Sequence, residues 1–251
     1  MSAFLSTPCV GMFDSGVGGL SILRAVRERL PYAPLRYVAD SAFAPYGERS
    51  DAEILDRCLR ITEHLLALGA RVIVVACNTA TAVAIDALRA RHPTVRFVGI
   101  EPGVRPAVSA SRTRRIGVMA TSATLRSERI AALLRRDASD CRVHLQACRG
   151  LAAAIERGRR DDAELRALVE LHAGAVRTAG VDTVALGCTH YPSCAPRSSG
   201  YSAMAFASST RPMPWQRRSC GCGPGMRAGS ASSRRRATRC GWRHSWQGGS
   251  R

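Results

Sequence analysis

Two cysteines stand in matched positions, each at the end of an apolar run typical of a buried strand. Cys77 follows Val-Ile-Val-Val-Ala, and Cys188 follows Val-Ala-Leu-Gly. Each thiol is followed directly by polar side chains: Asn78 and Thr79 after the first, Thr189 and His190 after the second. Because open α/β sheets bind ligands at the carboxyl ends of their strands, we expect these groups to face a ligand.

A pair of thiols can invert a carbon centre that carries a removable proton. One thiolate takes the proton from one face, and the other thiol returns a proton to the opposite face. A free cysteine titrates at about 8.5, so both forms are accessible near neutral pH. Other groups must tune each sulfur, and Asp14 and His190 are placed to do so.

The elements that must position these thiols alternate between strand and helix. The predicted strands cover residues 8–13, 35–39, 72–76, 96–100, 114–120, 143–147 and 181–187. The predicted helices cover residues 20–30, 51–68, 79–91, 122–136, 150–157 and 161–179, with Ser50 and Glu53 as a capping box for the second. This alternation predicts an α/β fold with mostly parallel sheets.

The repeated cysteine setting indicates two similar three-layer α/β halves with the active site between them. The first half is assigned to residues 1–100 and the second to residues 101–192. Each half therefore contributes one thiol to the site.

The first predicted strand leads into the turn Asp14-Ser15-Gly-Val-Gly-Gly. This turn lacks the third glycine of a dinucleotide fingerprint, which disfavours a nucleotide site. The preferred interpretation is that its glycines let the backbone pass close to a ligand held by Asp14 and Ser15. An alternative stays open, in which Asp14 caps the helix that follows.

Composition excludes several classes of protein. The chain has no lysine, so all 37 basic residues are arginine. A pyridoxal phosphate enzyme and a P-loop protein both need a lysine, so a sequence without lysine excludes both classes of protein. No apolar run is long enough to span a membrane. The ten cysteines lie in an α/β pattern without an export signal, which favours reduced thiols in the cytoplasm.

Four motifs in order resemble the cofactor-independent aspartate/glutamate racemase superfamily, and within it the glutamate racemases. The resemblance is continuous from about residue 8 to 192. The motifs are Asp14-Ser15-Gly-Val-Gly-Gly, Tyr46-Gly47, Ala76-Cys77-Asn78-Thr79 and Gly187-Cys188-Thr189-His190-Tyr-Pro.

The resemblance implies interconversion of L- and D-glutamate with no cofactor and no metal. Cys77 and Cys188 would be the two catalytic acid/bases, and Glu156 falls where the family has a helper carboxylate. The residues implied to bind glutamate are Asp14, Ser15, Tyr46, Gly47, Asn78, Thr79, Thr189 and His190. The product would be D-glutamate for peptidoglycan synthesis in the bacterial cytoplasm, made by an enzyme without nucleic-acid or membrane partners, with a homodimer as the expected assembly.

Other interpretations are weighed against this one. Glu156 has the features of an ordinary solvated residue at a helix end. The pairs Cys188-x-His190 and Cys220-x-Cys222 could ligate zinc, but no second pair has finger-like spacing. A racemase or isomerase of another small acid is the closest rival. A basic nucleic-acid-binding protein is the rival from another class, because the net charge is +18.

Residues 193–251 break the pattern of the preceding chain. This segment holds eleven of the arginines and no acidic residue, and it is rich in Ser, Gly, Pro and Trp. One interpretation is a disordered basic tail. The favoured interpretation is a reading-frame slip, because stepping the frame back by one base turns residues 193–218 into a helix, a turn, a strand and the start of a helix.

This interpretation generates a test at the level of the gene. Restoring the frame after codon 192 is expected to raise both the soluble yield and the racemase activity, because the family uses this segment to cover apolar surface. Uncovering several hundred Å² would cost roughly ten kcal/mol. A 251-residue chain that is soluble, melts cooperatively and is fully active would contradict the frame-slip interpretation.

Overall fold

The computed structural model describes residues 8–158 and 162–194, and the backbone of residues 205–207. The described residues form two four-stranded sheets in which all neighbouring strands are parallel. The predicted α/β class with parallel sheets is therefore confirmed. None of the described helices is long and apolar enough to cross a membrane.

The first sheet has the strand order β2-β1-β3-β4. Its strands are β1 (Cys9–Asp14), β2 (Leu35–Ala39), β3 (Ala70–Val75) and β4 (Arg96–Gly99). The β-branched run in β3 forms a central strand because both of its faces are covered, and Ile73 and Val75 are fully buried. The carboxyl ends of β1 and β3 lie side by side, with Phe13 paired with Val75.

The second sheet repeats this topology, with the order β6-β5-β7-β8. Its strands are β5 (Arg115–Ala120), β6 (Arg142–Ala147), β7 (Thr183–Gly187) and β8 (Ala205–Ala207). In each sheet the first strand of the half lies between the second and the third. The strand before each predicted catalytic cysteine, β3 or β7, therefore occupies the same place in its sheet.

Helices cover both faces of each sheet. They are α1 (Leu20–Arg29), α2 (Asp51–Ala67), α3 (Asn78–Arg91), α4 (Val104–Ala110), α5 (Ser122–Arg126), α6 (Glu128–Asp137), α7 (Leu151–Glu156) and α8 (Ala163–Thr178). In the first half, α1 packs on one face of the sheet, and α2 and α3 pack on the other. In the second half, α7 and α8 cover one face, and α4 and α6 cover the other.

Most predicted elements are present with shifts of one or two residues at their ends. The predicted capping box is also present, because the Ser50 side chain accepts a hydrogen bond from the Glu53 amide while the Glu53 carboxylate accepts one from the Ser50 amide. The prediction of one helix over residues 122–136 is wrong. Ser127 has an extended backbone and ends α5, and its Oγ accepts from the amide of Ile130 to start α6. Helix α4 was not predicted.

The division into halves at residues 100 and 101 stays a prediction, although the two sheets fall on either side of it. Most of the segment 193–251 lies outside the described residues. Within it the structure describes Ser193, Cys194 and the short strand β8, which pairs with β7 through Val184 and Phe206. The interpretation of this segment as a frame slip or a disordered tail stays a prediction.

The burial of β3 generates a stability prediction. Ile73→Ala should lower the free energy of unfolding by about 2–5 kcal/mol, because it removes methyl and methylene groups from a fully buried position. The control Arg71→Ala changes an exposed residue of the same strand and should alter it by less than about 0.5 kcal/mol. Urea unfolding of the three proteins measures both values, and equal losses would contradict the assignment of Ile73 to the core.

Candidate active site

Polar side chains collect where the strands of the first sheet end. Asp14 is the last residue of β1, and Ser15 begins the turn that follows it. Cys77 lies two residues beyond β3 and is the N-cap of α3, where its Sγ accepts from the amide of Ala80 at 3.4 Å. The Sγ of Cys77 also lies 3.8 Å from the Oγ of Ser15. The first half therefore brings its predicted carboxylate, hydroxyl and thiol together.

Asp14 organises the glycine-rich turn. Its Oδ2 accepts a hydrogen bond from the amide of Gly19 at 2.7 Å, and Gly19 is the N-cap of α1. Asp14 is therefore not the N-cap of α1, although this oxygen holds the amide of the residue that is. Oδ1 of the same carboxylate is buried and has no protein partner among the described residues, so half of the carboxylate is left for another role.

The turn after Asp14 passes directly against the second half of the chain. A Cβ placed on Gly16 would lie 1.8 Å from Oε1 of Glu156, and one on Gly18 would lie 2.7 Å from Nδ1 of His190. Only glycine leaves room for this approach. In the structure this backbone passes close to side chains of the second half, and its predicted approach to a ligand stays a prediction.

The second half contributes a chain of hydrogen-bonding groups. Sγ of Cys188 lies 3.6 Å from Nδ1 of His190, and Nε2 of His190 lies 2.5 Å from Oε1 of Glu156. The same carboxylate oxygen accepts from the amide of Val17 in the first half at 2.7 Å. Thr189 is buried beside this chain, with its Oγ1 3.5 Å from Nδ1 of His190.

The protonation states of His190 and Glu156 depend on each other. Burial by itself lowers the pKa of His190, but its hydrogen bonds to Cys188 and Glu156 outweigh burial and raise that pKa to about 10. The hydrogen bond from His190 lowers the pKa of Glu156. The two groups therefore form an ion pair at neutral pH, with a proton on the imidazole that lies beside Cys188.

Burial and a nearby negative charge both favour the protonated form of the thiol in the first half. Burial raises the pKa of Cys77 well above its usual value, and the nearby charge of Asp14 raises it further. Burial also raises the pKa of Asp14, partly offset by the charge of His190 and by the hydrogen bond from the amide of Gly19. Cys77 is thus a protonated thiol at neutral pH and is available as a proton donor.

A cluster of threonine hydroxyls joins the two halves next to Cys77. Oγ1 of Thr79 lies 2.9 Å from Oγ1 of Thr121 and 3.3 Å from Oγ1 of Thr124, and all three residues are buried. Thr79 was predicted from the sequence as a site residue, whereas Thr121 and Thr124 were not. The position of Thr121 directly after β5 could have found it, because Asp14 follows from the equivalent strand of the first half.

Tyr46 and Gly47 are also brought to the junction of the halves. The hydroxyl of Tyr46 donates to Oδ2 of Asp40 at 2.6 Å. A Cβ on Gly47 would lie 2.4 Å from Cβ of Thr121, so the backbone of this turn rests on the second half. Asn78 is buried, and its Oδ1 has no protein partner in the described part of the chain.

A metal site is not formed by the described residues. No group of three or more His, Cys, Asp or Glu side chains among residues 8–158 and 162–194 is arranged to hold an ion. Cys220 and Cys222 lie outside the described residues. The arrangement that is present can move protons: it offers two thiols, one beside a carboxylate and the other beside an imidazolium.

Comparison with known families places the chain among racemases. The model of the Asp/Glu/hydantoin racemase family matches residues 20–207. The glutamate racemase of Pseudomonas paraeruginosa strain PA7 is 55% identical over 183 residues, which cover 73% of this chain and 69% of that protein. The glutamate racemase of Pseudomonas aeruginosa strain UCBPP-PA14 is 52% identical over 188 residues, covering 75% and 71%.

Solved structures show the same similarity. Glutamate racemase isoform RacE1 from Bacillus anthracis superposes with a TM-score of 0.71 at 32% identity, covering 82% of this chain and 78% of that chain. Escherichia coli glutamate racemase, solved with L-glutamate and the activator UDP-MurNAc-ala, superposes with a TM-score of 0.70 at 30% identity, covering 81% and 79%.

The ion pair of His190 and Glu156 generates a pH prediction. Because the folded protein raises the pKa of His190 from 6.5 to about 10, the stabilisation from this residue is complete below pH 6.5 and is lost as the pH rises through 10. Glu156→Gln should lower the pKa of His190, whereas Glu63→Gln, at an exposed residue of α2, should not. An NMR titration of the His190 ring protons measures this, and an unchanged pKa in Glu156→Gln would contradict the ion pair.

Proposed function

Because the chain belongs to the Asp/Glu/hydantoin racemase family, we propose that it interconverts L-glutamate and D-glutamate by moving one proton at the α-carbon. One observation carries the proposal. Cys77 and Cys188 follow equivalent strands of two sheets with the same topology, and both thiols are buried. Each thiol has its own partner for holding or passing a proton.

In one direction Cys188 is the base and Cys77 is the acid. Cys188 acts as a thiolate beside the protonated imidazole of His190 and removes the α-proton from the enantiomer whose α-proton points towards the second half. The protonated Cys77 then delivers a proton to the opposite face of the carbon. The configuration inverts, and the proton taken by one sulfur is balanced by the proton given by the other.

In the opposite direction the roles of the two thiols exchange. Cys77 must then be a thiolate, and Asp14 is placed to influence its proton because the charge of this nearby carboxylate acts on the thiol. The thiol of Cys188, with the protonated His190 still beside it, then returns its proton to the carbon. The two directions therefore use the same groups in reverse order, as microscopic reversibility requires.

Unpartnered polar atoms in the site fit the ammonium group of an amino acid. Oδ1 of Asp14 and Oδ1 of Asn78 are buried acceptors without a protein donor among the described residues. Buried polar atoms are normally hydrogen bonded, so these two oxygens are expected to accept from a ligand. An α-ammonium group supplies three such donors and a positive charge that suits Asp14.

The carboxylates of glutamate need donors on either side of the α-carbon. The hydroxyls of Ser15, Thr79 and Thr189 are buried in the site, and Thr79 continues into the cluster with Thr121 and Thr124. Removing the α-proton places negative charge on the α-carboxylate. Fixed donors around that group therefore stabilise the transition state more than the bound substrate.

Entry of substrate requires the two halves to separate. Both thiols, Asp14, Asn78 and His190 are buried, so the described arrangement is closed. Closing over glutamate would exclude water and bring Glu156 against the amide of Val17. D-glutamate made in this way would serve peptidoglycan synthesis in the cytoplasm, and a homodimer is the assembly we propose for the enzyme.

The two-thiol mechanism is tested by removing each sulfur. Cys77→Ala and Cys188→Ala should each lower kcat for glutamate by at least about 10³-fold in both directions, because each direction needs both groups. Cys141→Ala, at a partly exposed free thiol, is the control and should keep wild-type turnover. Circular dichroism of L- and D-glutamate follows the reaction, in the chain of 251 residues and in its frame-restored form.

Two results would overturn the proposed function. Near wild-type turnover in either active-site variant would exclude a mechanism that needs both thiols. Faster racemisation of aspartate than of glutamate by the unsubstituted chain would assign the site to a different small acid.

A further inference from the structure

Glu48 makes a contact between the halves to which neither the motifs nor the proposed mechanism assigns a role. It ends a short 3₁₀ turn, Tyr46–Glu48, in the first half. Its Oε1 accepts a hydrogen bond from the amide of Gly150 in the second half at 3.1 Å. Gly150 is the N-cap of α7, the helix that ends at Glu156.

The turn that carries Glu48 is held firmly by its own half. Asp40 accepts from Nε of Arg57 at 3.0 Å and from Nη2 of Arg57 at 2.8 Å, while Tyr46 donates to the same carboxylate. A bidentate pair of this kind fixes direction as well as distance. The guanidinium of Arg57 also lies over the ring of Phe43, 3.9 Å from its centroid.

The same turn rests on the carboxyl edge of the second sheet. Gly47 meets Thr121 directly after β5, and Glu48 meets Gly150 shortly after β6. Strands β5 and β6 are neighbours, so the turn touches two adjacent strand ends. A shift of the second half would therefore displace this turn, and Tyr46 and Gly47 with it.

The amide of Gly150 is presented to Glu48 by a buried support. His172 is 4% exposed, and its Nε2 lies 3.0 Å from the carbonyl oxygen of Arg149. With a proton on Nε2, this nitrogen donates to Arg149, and Nδ1 accepts from the side-chain amide of Gln146 at 3.1 Å. Gly150 itself has φ of +75°, a conformation that favours glycine.

Helix α7 is consequently tied to the first half at both ends. At its start Glu48 accepts from Gly150, and at its end Glu156 accepts from Val17. Six helical residues span only about 9 Å, so the two ties act on one short rigid element. We propose that Glu48 is a positioning residue, which holds the start of α7 against the first half and so keeps Glu156 in place for His190 when the site closes.

The expected effect is on the geometry of the site and not on folding. Glu48 is exposed, and one exposed hydrogen bond contributes little to the stability of the folded chain. A shift of α7 would nevertheless weaken both contacts of Glu156, because the helix moves as a unit. The inference rests on the proposed function only for its effect on turnover.

The test compares Glu48→Ala, Glu48→Gln and Glu48→Asp with Glu63→Ala, which removes an exposed carboxylate from α2. In the full unliganded chain, Glu48→Ala and Glu48→Asp should speed hydrogen exchange at the Gly150 amide several-fold and lower the pKa of His190. Glu48→Gln should behave as the unsubstituted protein, since its amide oxygen still accepts from Gly150. Glu63→Ala should change neither value.

The kinetic arm is measured alongside. Glu48→Ala should lower kcat/KM for glutamate about tenfold, the loss expected for one positioning hydrogen bond, with Glu48→Gln within twofold of wild type. Unchanged Gly150 exchange or an unchanged His190 titration in Glu48→Ala would overturn the inference, as would equal defects in Glu48→Gln. If the unsubstituted chain does not racemise glutamate, the proposed function fails, while exchange and titration still decide the role of Glu48.

Discussion

One carboxylate oxygen makes the contact on which the active site depends. Oε1 of Glu156 binds Nε2 of His190 within the second half and the amide of Val17 in the first half. The first bond keeps a proton on the imidazole beside Cys188, and the second is made only when the halves meet. Gly16 and Gly18 follow from this constraint, because a side chain at either position would occupy the space of Glu156 or His190.

The two halves share a topology but place different groups beside their thiols. Cys77 is buried beside the carboxylate of Asp14, and both effects favour the protonated sulfur. Cys188 lies instead beside an imidazolium that is itself paired with Glu156. A racemase must act on two mirror-image substrates with chiral groups, so its two faces need not be symmetrical. Here the asymmetry lies in the partners of the sulfurs and not in the strands that carry them.

The relative position of the halves depends more on buried contacts than on the arginines at the rim. Arg129 on α6 reaches Asp86 on α3 and Glu101 in the connection between the sheets, at 3.4 and 3.3 Å. Such partly exposed ion pairs contribute little in water. The buried hydrogen bonds of Thr79 with Thr121 and Thr124 constrain the relative position of the halves more strongly. If the halves separated, these hydroxyls would have no partners until water or substrate supplied new ones.

The strands, most of the helices and the positions of the two cysteines after buried strands could be predicted from the amino-acid sequence alone. Apolar runs such as that of β3, and caps such as Ser50, are encoded within a few neighbouring residues, so local reasoning finds them. The same reasoning failed at Ser127, because a serine that ends one helix and starts the next competes with a continuous helical pattern. The hydrogen bond between Glu156 and His190, which rules out a merely solvated Glu156, is visible only in the tertiary structure. The tertiary structure also decided that Thr121 joins Thr79 and that Glu48 reaches Gly150. These pairs lie 34, 42 and 102 residues apart in the chain, and contacts over such separations are set by how the two sheets face each other, which no local pattern encodes.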